Sequence, residues 1–122
     1  MYFCIANEGI KPSTMSEVKQ SIILEELKES VYRLLGNKGS VLLFGSRARG
    51  DNREDSDWDL LVLLDREGRA DWSDYDNIGY PLNEFFWFRN QDVNTIIQTR
   101  EEWQSKSYTP FYKNVMQDAI YL

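Results

Sequence analysis

Residues Val41–Leu64 read VLLFGSRARGDNREDSDWDLLVLL. An apolar run from Val41 to Phe44 stops at Gly45-Ser46, and a turn crowded with Arg and Asp follows. A second apolar run, Leu60 to Leu64, begins directly after Asp57-Trp58-Asp59. Short continuous apolar runs bounded by turn residues read as buried strands. Side chains alternate across a strand, so Asp57 and Asp59 share a face, with Cα atoms about 6.5–7 Å apart at about 3.3 Å per residue. Like charges that close are unfavourable unless something positive sits between them, and a hard divalent cation with oxygen ligands suits that role. Leu61 and Leu63 carry the aspartate face onward, while Trp58, Leu60, Val62 and Leu64 lie on the other. Beyond the acidic end both faces are apolar, as in a central strand covered on two sides.

The loop between the runs has its own chemistry. Gly45 lets the backbone turn sharply and approach a ligand closely, because it has no side chain. Ser46 adds a hydroxyl, and the amides around it suit an anion. Arg47, Arg49 and Arg53 make the loop locally cationic, and the planar guanidinium fork matches phosphate oxygens. Asp51, Glu54 and Asp55 are the competing partners for those arginines.

Gly45-Ser46, ten intervening residues and then Asp57-Trp58-Asp59 resembles the signature of the polymerase-β-like nucleotidyltransferases. The string Gly-Ser-Arg-Ala-Arg-Gly followed by Ser-Asp-Trp-Asp-Leu is similar to the small bacterial minimal nucleotidyltransferase domains. The resemblance implies an α+β fold (an α/β sandwich) in which helices flank a small mixed β-sheet. It also implies two aspartates and a third carboxylate on a later strand, together holding two Mg²⁺ ions that bind a nucleoside triphosphate, expected to be ATP. In-line phosphoryl transfer needs such ions to neutralise charge on the attacking and leaving oxygens. Asp57 and Asp59 match two of these ligands and are the expected metal ligands. By position in the third strand the last one matches Asn94, a neutral and poorer ligand; Asp92, two residues earlier on the same face, is the alternative. The expected catalytic set is therefore Asp57, Asp59, Asp92 and Asn94, with Gly45, Ser46 and Arg49 binding nucleotide. With two carboxylates only, one metal and the nucleotide still bind, and activation of the acceptor weakens.

Family members of this size often lack an acceptor-binding domain, and many pair with a separate helical protein of the HEPN type as antitoxin or modifier. The resemblance thus implies Mg²⁺-dependent transfer of AMP to a hydroxyl of such a partner. The first alternative is a nucleotidyltransferase-fold binding module that neutralises a partner without turnover. The second is transfer to a small molecule, as in aminoglycoside-modifying relatives. Self-association is left open.

Composition bounds the rest. The chain has 122 residues, 42% of them hydrophobic and 14% aromatic, enough for one small domain with a real core. The expected organisation is a tail over 1–13 and a single domain over 14–122, with Met15 an alternative start to Met1. A net charge of −6 argues against general nucleic-acid binding. One Cys, Cys4, excludes an intrachain disulfide framework and fits a reducing compartment. The absence of His removes Ser-His triads and His-ligated zinc. No run approaches the ~18 apolar residues of a membrane span, no signal-peptide pattern opens the chain, and a cytoplasmic location is expected.

Outside the acidic stretch, Thr14-Met15-Ser16-Glu17 fits a capping box. Val18, Ile22, Leu27, Val31, Leu34 and Leu35 then predict an amphipathic helix that ends at Gly36-Asn37. Phe3 to Ala6 is a candidate minor strand. Trp72 to Arg89 reads as helix, with a kink or restart at Pro81. Asp92 to Thr99 reads as the third strand, with Asn94, Ile96 and Gln98 on one face. A helical piece from Arg100, a helix over Phe111 to Asp118 and a short strand over Ala119 to Leu122 complete the chain.

Overall fold

The computed structural model describes residues 14–122; the expected tail over 1–13, with its candidate strand Phe3–Ala6, lies outside the described residues. Helix α1 spans Met15–Leu35 and starts on the predicted capping box. The Glu17 amide donates to Thr14 Oγ1 at 3.0 Å, and the Thr14 amide donates to Glu17 Oε1 at 2.9 Å. Its buried stripe is Ile23, Leu27, Val31 and Leu35. Val18 and Ile22, predicted to share that stripe, are 40% and 55% exposed. The packed residues recur every fourth position, and Val18 and Ile22 sit one residue ahead of that series, rotated by about 100° from it.

Strand β1 (Gly39–Phe44), the short helix α2 (Ser46–Arg49) and strand β2 (Trp58–Leu64) follow the reading of the acidic stretch. A crossover leads from β2 to β3 through α3 (Trp72–Asp74), a π-helical turn (Tyr75–Gly79) and α4 (Tyr80–Trp87). Pro81 was expected to kink or restart this helix, and the chain absorbs it in the π turn, where the Tyr80 amide reaches back to the Tyr75 carbonyl. One extra residue in the turn relieves the clash that a proline ring makes with the preceding turn of a regular helix. Strand β3 (Val93–Thr99), α5 (Arg100–Ser105), α6 (Pro110–Asp118) and β4 (Ile120–Tyr121) complete the chain.

The four strands lie in the order β3-β2-β1-β4. β1 is antiparallel to β2 and β4, and β2 is parallel to β3, so the sheet is mixed as expected. One face, with Val41, Leu43, Trp58, Leu60, Val62 and Ile97, packs on α1 and α4. On the other face Leu42, Leu61 and Leu63 pack with Trp103 and Val115 from α5 and α6. β2 is thus covered on both sides over its length except at the aspartate end. No helix among the described residues is long and apolar enough to cross a membrane.

Candidate active site

The register of the sheet aligns the candidate residues in one row. Phe44 pairs with Asp59, and Asp59 pairs with Asn94, so the three lie side by side across β1, β2 and β3. The next row inward is Leu42, Leu61 and Ile96, all in the second core. On β2 and β3 this face therefore changes from apolar to polar within two residues, while Phe44 on β1 stays packed against Phe111 of α6. Asp57 precedes β2 directly, and its neighbour Trp58 donates its amide to the Asp92 carbonyl at 2.9 Å, which extends the pairing with β3 to the Asp57 end.

Asn94 closes the site. Its amide Nδ2 donates to Asp57 Oδ2 at 3.2 Å and to Asp59 Oδ1 at 3.1 Å. One polar donor thus stands between the two carboxylates, in the position their mutual repulsion calls for. Asp92 makes no hydrogen bond to either aspartate; its structural contribution is the carbonyl that accepts from Trp58. Among the described residues no three acidic or thiol side chains converge as they would around a metal ion. The donor set is two carboxylates and one amide. Turned about its Cβ–Cγ bond, that amide offers Oδ1 in place of Nδ2, so Asp57, Asp59 and Asn94 together fit one hard divalent ion.

Gly45 is positioned against the carboxylates. Its φ is +74°, a conformation that favours glycine. A Cβ built there would collide with Asp59 Oδ2, so the carboxylate rests on the bare Cα. The close approach that the turn was expected to offer a ligand is thus already used by Asp59. Gly45→Ala should cost about 1–3 kcal/mol from the backbone alone. It should also displace Asp59, so that metal-dependent nucleotide binding is lost even where the variant folds. Denaturant titration beside calorimetric titration with MgATP checks this, and a folded variant with ordinary binding would reduce Gly45 to a simple turn residue.

The arginines of the loop divide into different roles. Arg47 is buried at 6% exposure. Its guanidinium donates to the carbonyls of Glu54 and Ser56 and to Gln20 Oε1, and lies 4.6 Å above the Trp58 ring. Burial pushes its pKa down from the ordinary arginine value, while Asp55 and Asp57 push it up. Gln91 supports the same cluster by accepting from Trp58 Nε1 at 3.0 Å. Arg47 therefore spends its donors within the protein and ties α2 to the segment leading into Asp57. Arg49 is exposed and pairs with Asp51 at 3.1 Å and with Asp118 at 3.3 Å. Its hydrogen bonds to Asp51 and Asp118 raise its pKa. Asp51 was an expected competitor; Asp118, from the end of α6, was not. Ser46 is the first residue of α2, directly after Gly45. Gln20, Gln91 and Asp118 left no signal in the sequence, because each reaches the site from a distant element.

The family model of the nucleotidyltransferase domain matches residues 23–121. A protein of Methanocaldococcus jannaschii named "Putative protein adenylyltransferase" is 30% identical over 91 residues, covering 75% of this chain and 82% of that protein. A second protein of that organism with the same name is 46% identical over 43 residues, covering 34% of this chain and 43% of its own length. Among solved structures, a crystal structure of a "putative nucleotidyltransferase" from Sulfolobus solfataricus has a TM-score of 0.53 at 22% identity, covering 94% of this chain and 90% of the other. A structure described as a toxin-antitoxin with AMP-PNP has a TM-score of 0.52 at 22% identity, covering 80% of this chain and 70% of the other.

Proposed function

The chain belongs to the nucleotidyltransferase domain family, and from that premise we propose that it transfers AMP from ATP to a hydroxyl of a partner protein, with residues 14–122 acting as one domain. The observation that carries this reading is the meeting of Asp57, Asp59 and Asn94 beside Gly45, at the end of the sheet face that turns from apolar to polar. Asp57 and Asp59 would hold a divalent cation, expected to be Mg²⁺, and Asn94 would complete its protein ligands through Oδ1. When bound, the cation neutralises charge on the triphosphate and on the oxygens that attack and leave. Gly45 seats the Asp59 carboxylate, Ser46 would offer its hydroxyl to the phosphates, and Arg49 would reach them by exchanging Asp51 or Asp118 for a phosphate oxygen. The acceptor oxygen bonds to the α-phosphorus, the bond between the α- and β-phosphates breaks, pyrophosphate leaves and the hydroxyl proton is released.

A protein acceptor is supported by the name of the M. jannaschii relatives. A helical partner of the HEPN type, in an antitoxin-like pair, is in keeping with the toxin-antitoxin neighbour. Asn94 also favours a second reading, because an amide in place of a third carboxylate fits a nucleotide-binding module that engages its partner with slow turnover or none. Incubating the chain with α-labelled ATP, Mg²⁺ and the protein encoded beside it separates the two. Label on that protein, lost in Asp57→Asn with Asp59→Asn, is the expected result. Nucleotide binding with no label on any acceptor would move the assignment to the binding module.

MgATP at 100 times its dissociation constant should stabilise the fold by about 2.7 kcal/mol. ATP with chelator should do much less. Asp57→Asn with Asp59→Asn should remove the metal-dependent part of this shift. Since Asn94 already donates to both aspartates, the metal-free melting temperature should rise only slightly in that double variant. A full response to MgATP in the double variant would place the cation elsewhere.

A further inference from the structure

The row Asn94, Asp59, Phe44 continues beyond the carboxylates into an aromatic shelf. Phe44 stands one strand spacing, about 4.8 Å, from Asp59 on the same face. Phe111, in the first turn of α6, meets the Phe44 ring at a centroid distance of 6.0 Å and an interplanar angle of 85°. Trp103 from α5 meets Phe111 at 6.0 Å and 90°. Two perpendicular rings thus lock Phe111 in one orientation, yet it remains 45% exposed. The other end of α6 reaches the same site, where Asp118 pairs with Arg49. α6 therefore touches the surroundings of the site near both of its ends, through Phe111 against Phe44 and Asp118 against Arg49.

On the opposite flank of the carboxylates lies β3, an edge strand that contributes only Asn94 to this row. Among the described residues, Phe44 is the aromatic side chain in register with Asp59 on this face, and Phe111 packs against it.

We propose that Phe111, braced by Phe44 and Trp103, is the platform on which the base of the bound nucleoside triphosphate stacks. The inference rests on the nucleotidyltransferase reading of Asp57, Asp59 and Gly45, and adds the part of the ligand those residues do not touch. A ring already held in place loses little rotamer freedom when a base covers it, so the stacking energy is largely retained as affinity. Recognition by a π-face, with no hydrogen-bond pattern to read, accepts any base and favours the larger faces of purines.

The test is calorimetric titration of the full chain with MgATP and with the Mg²⁺ complex of ribose 5-triphosphate, which carries the sugar and phosphates without a base. Phe111→Leu keeps an apolar side chain against Phe44 and Trp103 but removes the flat face. It should weaken MgATP about five- to hundredfold, the range that base–aromatic stacking covers, and leave the abasic ligand within twofold. Phe111→Tyr should retain wild-type affinity for both. Equal losses for both ligands in Phe111→Leu would make the ring a scaffold residue, and an unchanged affinity for MgATP would remove it from the site; either result overturns the proposal. Should Phe111→Leu fail to fold, the wild-type chain still decides, since equal affinity for MgATP and the abasic triphosphate excludes a base contact. Binding of neither ligand by the wild-type chain would instead overturn the nucleotide site itself, and this inference with it.

Discussion

Asn94→Asp should make the stability of the protein depend on metal. In the present site the Asn94 amide donates to Asp57 and Asp59 at 3.2 and 3.1 Å, so the carboxylate pair is satisfied without a cation. Replacing the amide by a carboxylate removes both donors and sets three like charges around one point. Hydrogen bonds to charged groups contribute roughly 1.5–3 kcal/mol when shielded and less at the surface. The metal-free variant should therefore lose about 1–3 kcal/mol, read as a fall in melting temperature with chelator present. With Mg²⁺ it should recover that loss, because a charged oxygen is a far better Mg²⁺ ligand than an amide oxygen. Any transferase rate should rise at the same time, as the third carboxylate strengthens the activation of the acceptor oxygen. Asp92→Asn should change little, since Asp92 has no bond to the pair and serves β2 through its carbonyl. Loss of turnover in Asp92→Asn with nucleotide binding intact, and no gain in Asn94→Asp, would reverse these assignments.

Arg47→Met should be the costliest single change near the site. The guanidinium satisfies the Glu54 and Ser56 carbonyls, donates to Gln20 Oε1 and covers the Trp58 ring, all with the side chain buried. Methionine fills much of the volume but leaves the carbonyls unpaired, and it removes the cation from the indole face. Loss of charged hydrogen bonds and a desolvated cation–π contact together cost about 2–4 kcal/mol. For a chain of this length that lowers the melting temperature by roughly 10 °C. Arg47→Lys should recover little, because a single ammonium cannot span two carbonyls as the planar fork does. The segment that loses its anchor leads directly into Asp57, so MgATP affinity should fall by more than the loss of stability explains. A folded Arg47→Met protein within about 0.5 kcal/mol of wild type would show that Gln20 and Gln91 hold the segment without it.

Local information carried most of the fold. The apolar runs on either side of Gly45 and Asp59 became β1 and β2, and the alternation along β2 placed the aspartates with Leu61 and Leu63 opposite Trp58 and Leu60. The capping box at Thr14 and the break at Gly36 depend on neighbouring residues, and both appear. The turn at Gly45-Ser46 and the shared face of Asp57 and Asp59 were legible for the same reason, since turn chemistry and a two-residue period are properties of adjacent positions.

Tertiary structure decided what depends on distance. Whether Asn94 or Asp92 meets the aspartates is a matter of strand register, since the two share a face two residues apart and a slip of that length would exchange them. The parallel pairing of Asp59 with Asn94 is set by the whole crossover through α3 and α4, so no local pattern announces it. Arg47 and Arg49 look alike in a cationic loop. One is buried because Gln20 from α1 and Trp58 from β2 surround it, and the other is drawn to Asp118 at the end of α6. The aromatic shelf arises in the same way, from residues far apart in the chain at Phe44, Trp103 and Phe111. Spacing along the chain determined the two aspartates and the turn beside them, because their chemistry is local. The placing of Asn94 at the aspartate pair, the partners of each arginine and the surface next to the site depended on the packing of helices and strands, which brings together residues that carry no mark of one another.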